Sequence, residues 1–257
     1  MIVRSSNFAT FKECPAKAHF MYELGLARSG GKSIDLLFGS IVHDAIDMYN
    51  KTGDIQDAFA LIDSIKWPPS TKKNPALAKV FVRLYVRKQN GKKKLFSERL
   101  FSFFLGQHEW RGRWDGLTLE TYGLLIDELK TTNWRFFISK PNDQFISYYK
   151  AARERFGEQV HGILLYDFDV ARADVKQEVI RFTDDEVKVW EEETLLEIDF
   201  YDRCQRNQVW PKRPASCLLY GINYPCPYIP LCQSPNTAEM LMRKMFVVSE
   251  EARTLSW

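Results

Sequence analysis

The chain has no uninterrupted apolar run of 18 residues, about the least a membrane-spanning helix needs. Its first residues, Met1-Ile2-Val3-Arg4-Ser5-Ser6-Asn7, lack the apolar centre of a secretory signal. We therefore expect no membrane partner and an intracellular, cytoplasmic protein, the cytoplasm being a host's if the gene is viral. Structural disulfides are disfavoured in that compartment, which leaves the five cysteines open to other chemistry. A Gly-x-x-x-x-Gly-Lys-Ser/Thr phosphate loop is also missing, so any ATP-driven motor that serves this chain must be a separate protein. There are no internal repeats and no low-complexity segments. With 45% hydrophobic and 14% aromatic residues among 257, the chain can bury a sizeable core and should not be disordered.

The net charge is only +3, but it is unevenly spread. Residues 71–99 carry ten Lys and Arg against Glu98 alone, a local net of +9, whereas residues 183–202 carry nine Asp and Glu against Lys188, a net of −8. Clustered cations suit a polyanion, because neutralising phosphates releases counterions. A solvated helix face is the ordinary alternative. Within the basic stretch Lys79, Arg83 and Arg87 recur every four residues, making one stripe on a helix, and Lys92, Lys93 and Lys94 continue it into a turn.

The most informative stretch is Gly123-Leu-Leu-Ile-Asp-Glu-Leu-Lys-Thr-Thr132, preceded by Gly112-Arg-Trp-Asp115-Gly116. Leu124, Leu125 and Ile126 suit a buried strand, and alternation puts Glu128 and Lys130 on one face with Asp127 on the other. Taking such an ion pair out of water costs several kcal/mol per ion, on the order of the penalty real proteins show, so it needs a reason. A divalent cation held by Glu128 and Asp115 is one: it would polarise a phosphoryl oxygen, while Lys130 positions water or stabilises developing charge. The alternative is an exposed cross-strand salt bridge, with Asp115 in a hairpin turn.

Around this strand the pattern predicts helices from Ser5 or Ser6 toward Leu26, interrupted at Cys14-Pro15, and over 35–49, 54–65 and 75–88. Residues 25–32 read as a loop. His43 lies on the second helix after a small-residue step, Gly39-Ser40, which would let another element approach closely. A strand is expected over 95–105, with Glu98 a spare carboxylate. A helix over 141–156 projects Gln144 and Tyr148 from one face, four residues apart. Strands over 160–168 and 175–182 follow, and Thr183-Asp-Asp-Glu186 reads as a capping box opening a helix to about Asn207.

Near the C-terminus Cys217, Cys226 and Cys232 fall within sixteen residues rich in Pro and Gly. Grouped thiolates suggest zinc or an iron–sulfur cluster. Cys14 or Cys204 could supply the fourth ligand. The intervening eight and five residues do not match the short Cys-x-x-Cys pairs of common zinc modules.

Taken in order, Cys14-Pro, Phe38-Gly39-x-x-x-His43, Gly112-x-x-Asp115, Glu128-x-Lys130, Gln144-x-x-x-Tyr148 and the cysteine triplet resemble the RecB-type nucleases of the PD-(D/E)xK superfamily. The resemblance is to the iron–sulfur branch that includes CRISPR-associated RecB-like exonucleases, the AddB nuclease domain and phage relatives, and it spans about residues 5–235. It implies an α/β, restriction-endonuclease-like fold: a mixed central sheet flanked by helices in one nuclease domain. In that domain residues 5–94 would be mainly helical, 95–182 the catalytic sheet core, 183–235 a helix and the cysteine cluster, and 236–257 a tail. It implies that His43, Asp115, Glu128 and the Leu129 carbonyl bind Mg²⁺ or Mn²⁺ and that Lys130 activates water. Gln144 and Tyr148 would contact DNA or steady Lys130. Cys14, Cys217, Cys226 and Cys232 would hold a [4Fe–4S] cluster, with Zn²⁺ the alternative. The expected substrate is DNA, single-stranded or ended, with Lys79, Arg83, Arg87, Lys92, Lys93 and Lys94 guiding it and a separate helicase or recombination protein as partner. A noncatalytic DNA-binding or assembly subunit is the alternative reading.

Overall fold

The computed structural model describes residues 2–28, 34–70, 72–89, 92–133, 142–218 and 225–249. Among them no helix is long and apolar enough to cross a membrane. The elements, in chain order, are β1 (Ile2–Arg4), α1 (Ser5–Glu13), α2 (Pro15–Ala18), a π-helical turn (His19–Glu23), β2 (Leu26–Arg28), α3 (Ile34–Thr52), α4 (Ile55–Ser64), α5 (Pro75–Gln89), β3 (Lys93–Leu105), β4 (His108–Glu120), β5 (Gly123–Thr132), α6 (Asp143–Phe156), β6 (Val160–Asp169), β7 (Asp174–Ile180), α7 (Asp184–Asn207), α8 (Ile229–Gln233), α9 (Ala238–Met245) and β8 (Phe246–Val248). They fall into two compact units: residues 32–101 with 112–187, and residues 1–31 with 102–111 and 188–257.

The first unit is a mixed α/β sandwich. Its sheet runs β3-β4-β5-β6-β7; β4/β5 and β6/β7 are antiparallel, and β5/β6 are parallel. Strand β5 has neighbours on both edges, which explains its near-continuous burial from Leu124 to Leu129. One face of the sheet, through Leu125, Leu129, Leu164, Tyr166 and Phe168, packs against α3, α4 and α5. Helix α3 presents Phe38, Ile41, Val42, Ala45 and Ile46 to that core, and each large side chain so buried contributes about 1.5–3 kcal/mol. Helix α4 starts at Asp54, whose carboxylate accepts from the Gln56 amide at 2.8 Å. Helix α6 lies against β5 and β6. It is capped by Asn142, which accepts from the Phe145 amide at 3.1 Å; Pro141, expected to open it, is outside the described residues.

In the second unit β1 pairs in parallel with Glu109–Arg111 of β4, and Phe8, Phe103, Trp110 and Trp190 form an aromatic core. Proline ends α1 as expected, leaving Cys14 extended (φ −163°, ψ 112°) before Pro15 opens α2. The capping box is formed at the end of the chain's other unit: the Thr183 amide donates to Glu186 Oε2 at 2.7 Å and the Glu186 amide to Thr183 Oγ1 at 3.1 Å. Two readings change. Residues 26–28, expected in a loop, and 246–248, expected in a tail, pair antiparallel as a small sheet. Three-residue strands are too short to show a period of two, and their pairing spans most of the chain.

Candidate active site

The first unit brings together every side chain expected around the Glu-x-Lys strand. Glu128 is 1% exposed, which removes the surface salt-bridge alternative. Asp115 belongs to β4 rather than to a turn. Its Oδ2 accepts the Leu129 amide at 2.8 Å, so β4 and β5 are tied at the site itself. Its Oδ1 lies 3.7 Å from His43 Nδ1 on α3. Helix α3 can come this close because residue 39 is glycine: a Cβ there would stand 2.9 Å from Thr131 Oγ1 on β5.

Lys130 Nζ is 2.5 Å from Glu128 Oε1 and donates to Gln144 Oε1 at 2.8 Å. The Gln144 amide nitrogen reaches both Glu128 Oε1 (2.9 Å) and Tyr148 Oη (3.0 Å). Of the i, i+4 pair on α6, Gln144 thus meets Lys130 directly, and Tyr148 acts through Gln144. Tyr148 is fixed in turn by the Trp114 indole, which donates to its carbonyl at 3.2 Å, and by an edge-on Phe101 ring.

The electrostatics follow from burial. Desolvation lifts the Glu128 carboxyl to about 7, with Lys130 pulling the other way. Burial pushes His43 toward neutrality, but Asp115 outweighs it and holds the imidazole above its ordinary value. Asp115 stays below the usual carboxylate range despite burial, because His43, the Leu129 amide and Lys130 favour its charge. Burial pushes the Tyr148 phenol well above its ordinary value. Glu128 Oε2 is buried and has no hydrogen-bond partner. Such an acceptor costs about 1–3 kcal/mol unless something satisfies it, and a divalent cation beside Asp115 and His43 would. Among the described residues no three His, Cys, Asp or Glu side chains are preassembled to hold an ion, and Lys130 occupies one Glu128 oxygen.

Asp47, Asn50, Ser97 and Glu98 line the cleft beside His43, Asp115 and Leu129. Asp47 was legible on the His43 face of α3, four residues on. Glu98 reaches the cleft because its backbone is left-handed (φ 43°) within β3, a conformation sequence does not announce for glutamate; burial raises its carboxyl.

The basic stretch divides. Arg83, Arg87 and Lys93 are exposed, whereas Lys79 pairs with Asp63 (2.7 Å) and Lys92 with Glu120 (3.0 Å). Lys94 is no surface cation: it turns inward and pairs at 3.0 Å with Asp127, which is 0% exposed. Strand alternation separates it from Lys93, and the sequence does not reveal the distant buried acid that selects it.

In the second unit Cys14, Cys217, Cys226 and Cys232 line one cavity of about 460 Å³ together with Lys17, Lys212 and Arg213. Burial raises the Cys226 and Cys232 thiols, and the neighbouring cysteines push the same way. Cys204 does not line the cavity; it is buried with Phe11 and Tyr201.

A mixed sheet carrying an Asp and a Glu-x-Lys at one point, backed by a Gln-x-x-x-Tyr helix, has the build of a nuclease. The chain belongs to the PD-(D/E)XK nuclease superfamily, whose sequence profile matches residues 5–233. Its fold is similar to the crystal structure of a protein from Eubacterium rectale described as a candidate exonuclease, with 15% identity, a TM-score of 0.52, and 82% of this chain and 84% of that one covered. No curated protein matches the sequence.

Proposed function

We propose that the protein is a metal-dependent deoxyribonuclease that hydrolyses phosphodiester bonds, acting as an exonuclease on single strands or DNA ends, of the RecB type with an iron–sulfur cluster. The observation that carries the reading is the Lys130–Gln144–Glu128 cluster, in which the buried Glu128 leaves one oxygen without a partner while the charges of Asp115 and His43 act on the same carboxylate. Mg²⁺ or Mn²⁺, held by His43, Asp115, Glu128 and the Leu129 carbonyl, would supply Lewis-acid activation of the scissile phosphate and acidify water. Lys130 Nζ is a positioned donor that holds the attacking water and steadies charge developing on the phosphate. Gln144 keeps that ammonium aimed by accepting a hydrogen bond from it while donating one to Glu128. The Leu129 amide spends Asp115 Oδ2, which leaves Oδ1 for the site. Arg83, Arg87 and Lys93 would guide the strand by neutralising its phosphates, and unwinding of duplex substrate would fall to a separate helicase.

Cys14, Cys217, Cys226 and Cys232 suit a [4Fe–4S] cluster: these four thiols share one cavity, and three cations beside them would offset the charge of a thiolate-bound cluster. Zn²⁺ is the alternative occupant, and the role in either case is structural.

The test is cleavage of end-labelled single- and double-stranded DNA by anaerobically purified protein, with Mg²⁺ or Mn²⁺, beside Glu128→Ala and Lys130→Ala. The expected result is metal-dependent cleavage lost in both variants, with DNA binding retained in Lys130→Ala. Wild-type cleavage by Lys130→Ala would overturn the assignment of its role. No cleavage from folded wild-type protein under either metal would favour the noncatalytic DNA-binding subunit.

A further inference from the structure

The first unit holds a second ionisable cluster that the proposed reaction does not use. Lys94 Nζ pairs with Asp127 Oδ2 at 3.0 Å and donates to the Tyr85 hydroxyl. Thr118 Oγ1 lies 2.9 Å from each oxygen of the Asp127 carboxylate. The Tyr85 hydroxyl donates to Asn50 Oδ1 at 3.1 Å and accepts from Gln89 Nε2 at 3.1 Å, while Asn50 Nδ2 reaches Ser97 Oγ at 3.4 Å. Asp127, Thr118 and Tyr85 are all fully buried.

The location of this network is informative. Asn50 is two turns along α3 from His43, Thr118 is three residues along β4 from Asp115, and Asp127 adjoins Glu128 on β5. The network therefore fastens together the three elements that carry all the expected metal ligands. The fit is close: a Cβ on Gly116, next to Asp115, would stand 2.7 Å from Asp127 Oδ2 and 3.2 Å from Lys94 Nζ. Stability alone explains it poorly, because replacing a buried ion pair by apolar groups of similar volume is often neutral or stabilising. Outer groups that orient metal ligands, by contrast, typically change metal affinity or activity about 10–100-fold when altered.

We infer that the buried Lys94–Asp127 pair, with Thr118 and Tyr85, is a positioning device that sets the spacing of His43, Asp115 and Glu128 from behind the sheet. Lys94, Asp127 and Thr118 are then positioning residues rather than catalytic ones. The inference rests on the metal-dependent nuclease reading.

The experiment compares wild type, the double variant Lys94→Met/Asp127→Leu and Thr118→Val in three measurements: thermal unfolding, Mn²⁺ binding by calorimetry without DNA, and kcat and KM at saturating Mn²⁺. The expected result for the double variant is a cooperative melt, Mn²⁺ affinity weakened about tenfold or more and kcat reduced about as much, with KM for DNA within about twofold of wild type. Thr118→Val, which keeps both charges, moves the same quantities in the same direction by a smaller factor. A double variant that melts cooperatively with wild-type Mn²⁺ affinity and kcat overturns the inference while leaving the nuclease reading intact. If the double variant does not fold, Thr118→Val decides, and unchanged affinity and kcat there overturn the inference. Wild-type protein that neither binds Mn²⁺ nor cleaves DNA defeats the nuclease reading and the inference with it.

Discussion

At the scale of single residues, Glu128 sets the behaviour of the site. Its carboxyl ordinarily loses its proton at 4.5 and is lifted by burial to about 7 in the folded, metal-free protein. A group that holds its proton more tightly when folded makes the native state bind more protons than the unfolded one. Stability is therefore present at acid pH and falls as the pH rises from about 4.5 through about 7, by up to roughly 3 kcal/mol at about 1.36 kcal/mol per unit. Glu128→Gln removes this dependence. Melts in chelator at about pH 5 and pH 8 should show wild type losing several degrees that the variant keeps, with saturating Mg²⁺ restoring wild type alone. An equal fall in both proteins would assign the pH dependence to another group. Period-two alternation was enough to separate Asp127 from Glu128 and Lys130. It could not reveal that Lys94 is the buried counter-ion of Asp127, because a run of three lysines looks the same whether one of them turns inward or not.

At the scale of elements, the helices as far as α7 were legible, α8 and α9 fell in stretches read as loop and tail, and the contacts between helices were not legible. The three- and four-residue spacing on α3 and α6 gave the faces that carry His43, Gln144 and Tyr148. The Gly39-Ser40 step suggested a close approach but could not name Thr131 as the neighbour. Gly39→Ala would place a methyl group 2.9 Å from Thr131 Oγ1, and the stiff threonine cannot swing aside freely. Helix α3 must shift, at a cost of about 1–3 kcal/mol, and it carries His43 with it. Thr131→Ala should recover most of that loss in the double variant, a favourable coupling of about 1 kcal/mol or more in a double-mutant cycle of denaturant unfolding. Strict additivity of the two changes would show that α3 does not rest on β5 through this pair. The short strands β2 and β8 escaped the sequence reading because three residues carry no period and their partner is far away.

At the scale of the whole molecule, the candidate catalytic residues all belong to one compact unit and the cysteine cavity to the other. Cys14 and the C-terminal triplet were readable as a set because disulfides were improbable, while the choice of Cys14 over Cys204 came from a resemblance rather than from spacing. Iron and sulfide analysis of anaerobically purified protein should give about four irons per chain. Cys204→Ala should leave that content unchanged, and Cys226→Ala should abolish it and lower the melting temperature. Loss of iron in Cys204→Ala, or a full complement in Cys226→Ala, would reassign the ligands.

The pairing of Leu26–Arg28 with Phe246–Val248 has a consequence for how the molecule is made. On the ribosome the first of these strands emerges more than 200 residues before its partner, on the order of ten seconds or longer at cellular rates of synthesis. The unit bearing the Glu-x-Lys strand is complete by residue 187 and can fold during that interval. The N-terminal segment with Cys14 must wait for residues 217–248, so the four-cysteine cavity can close only after the Glu-x-Lys unit has been synthesised in full, and the two units mature in a fixed order.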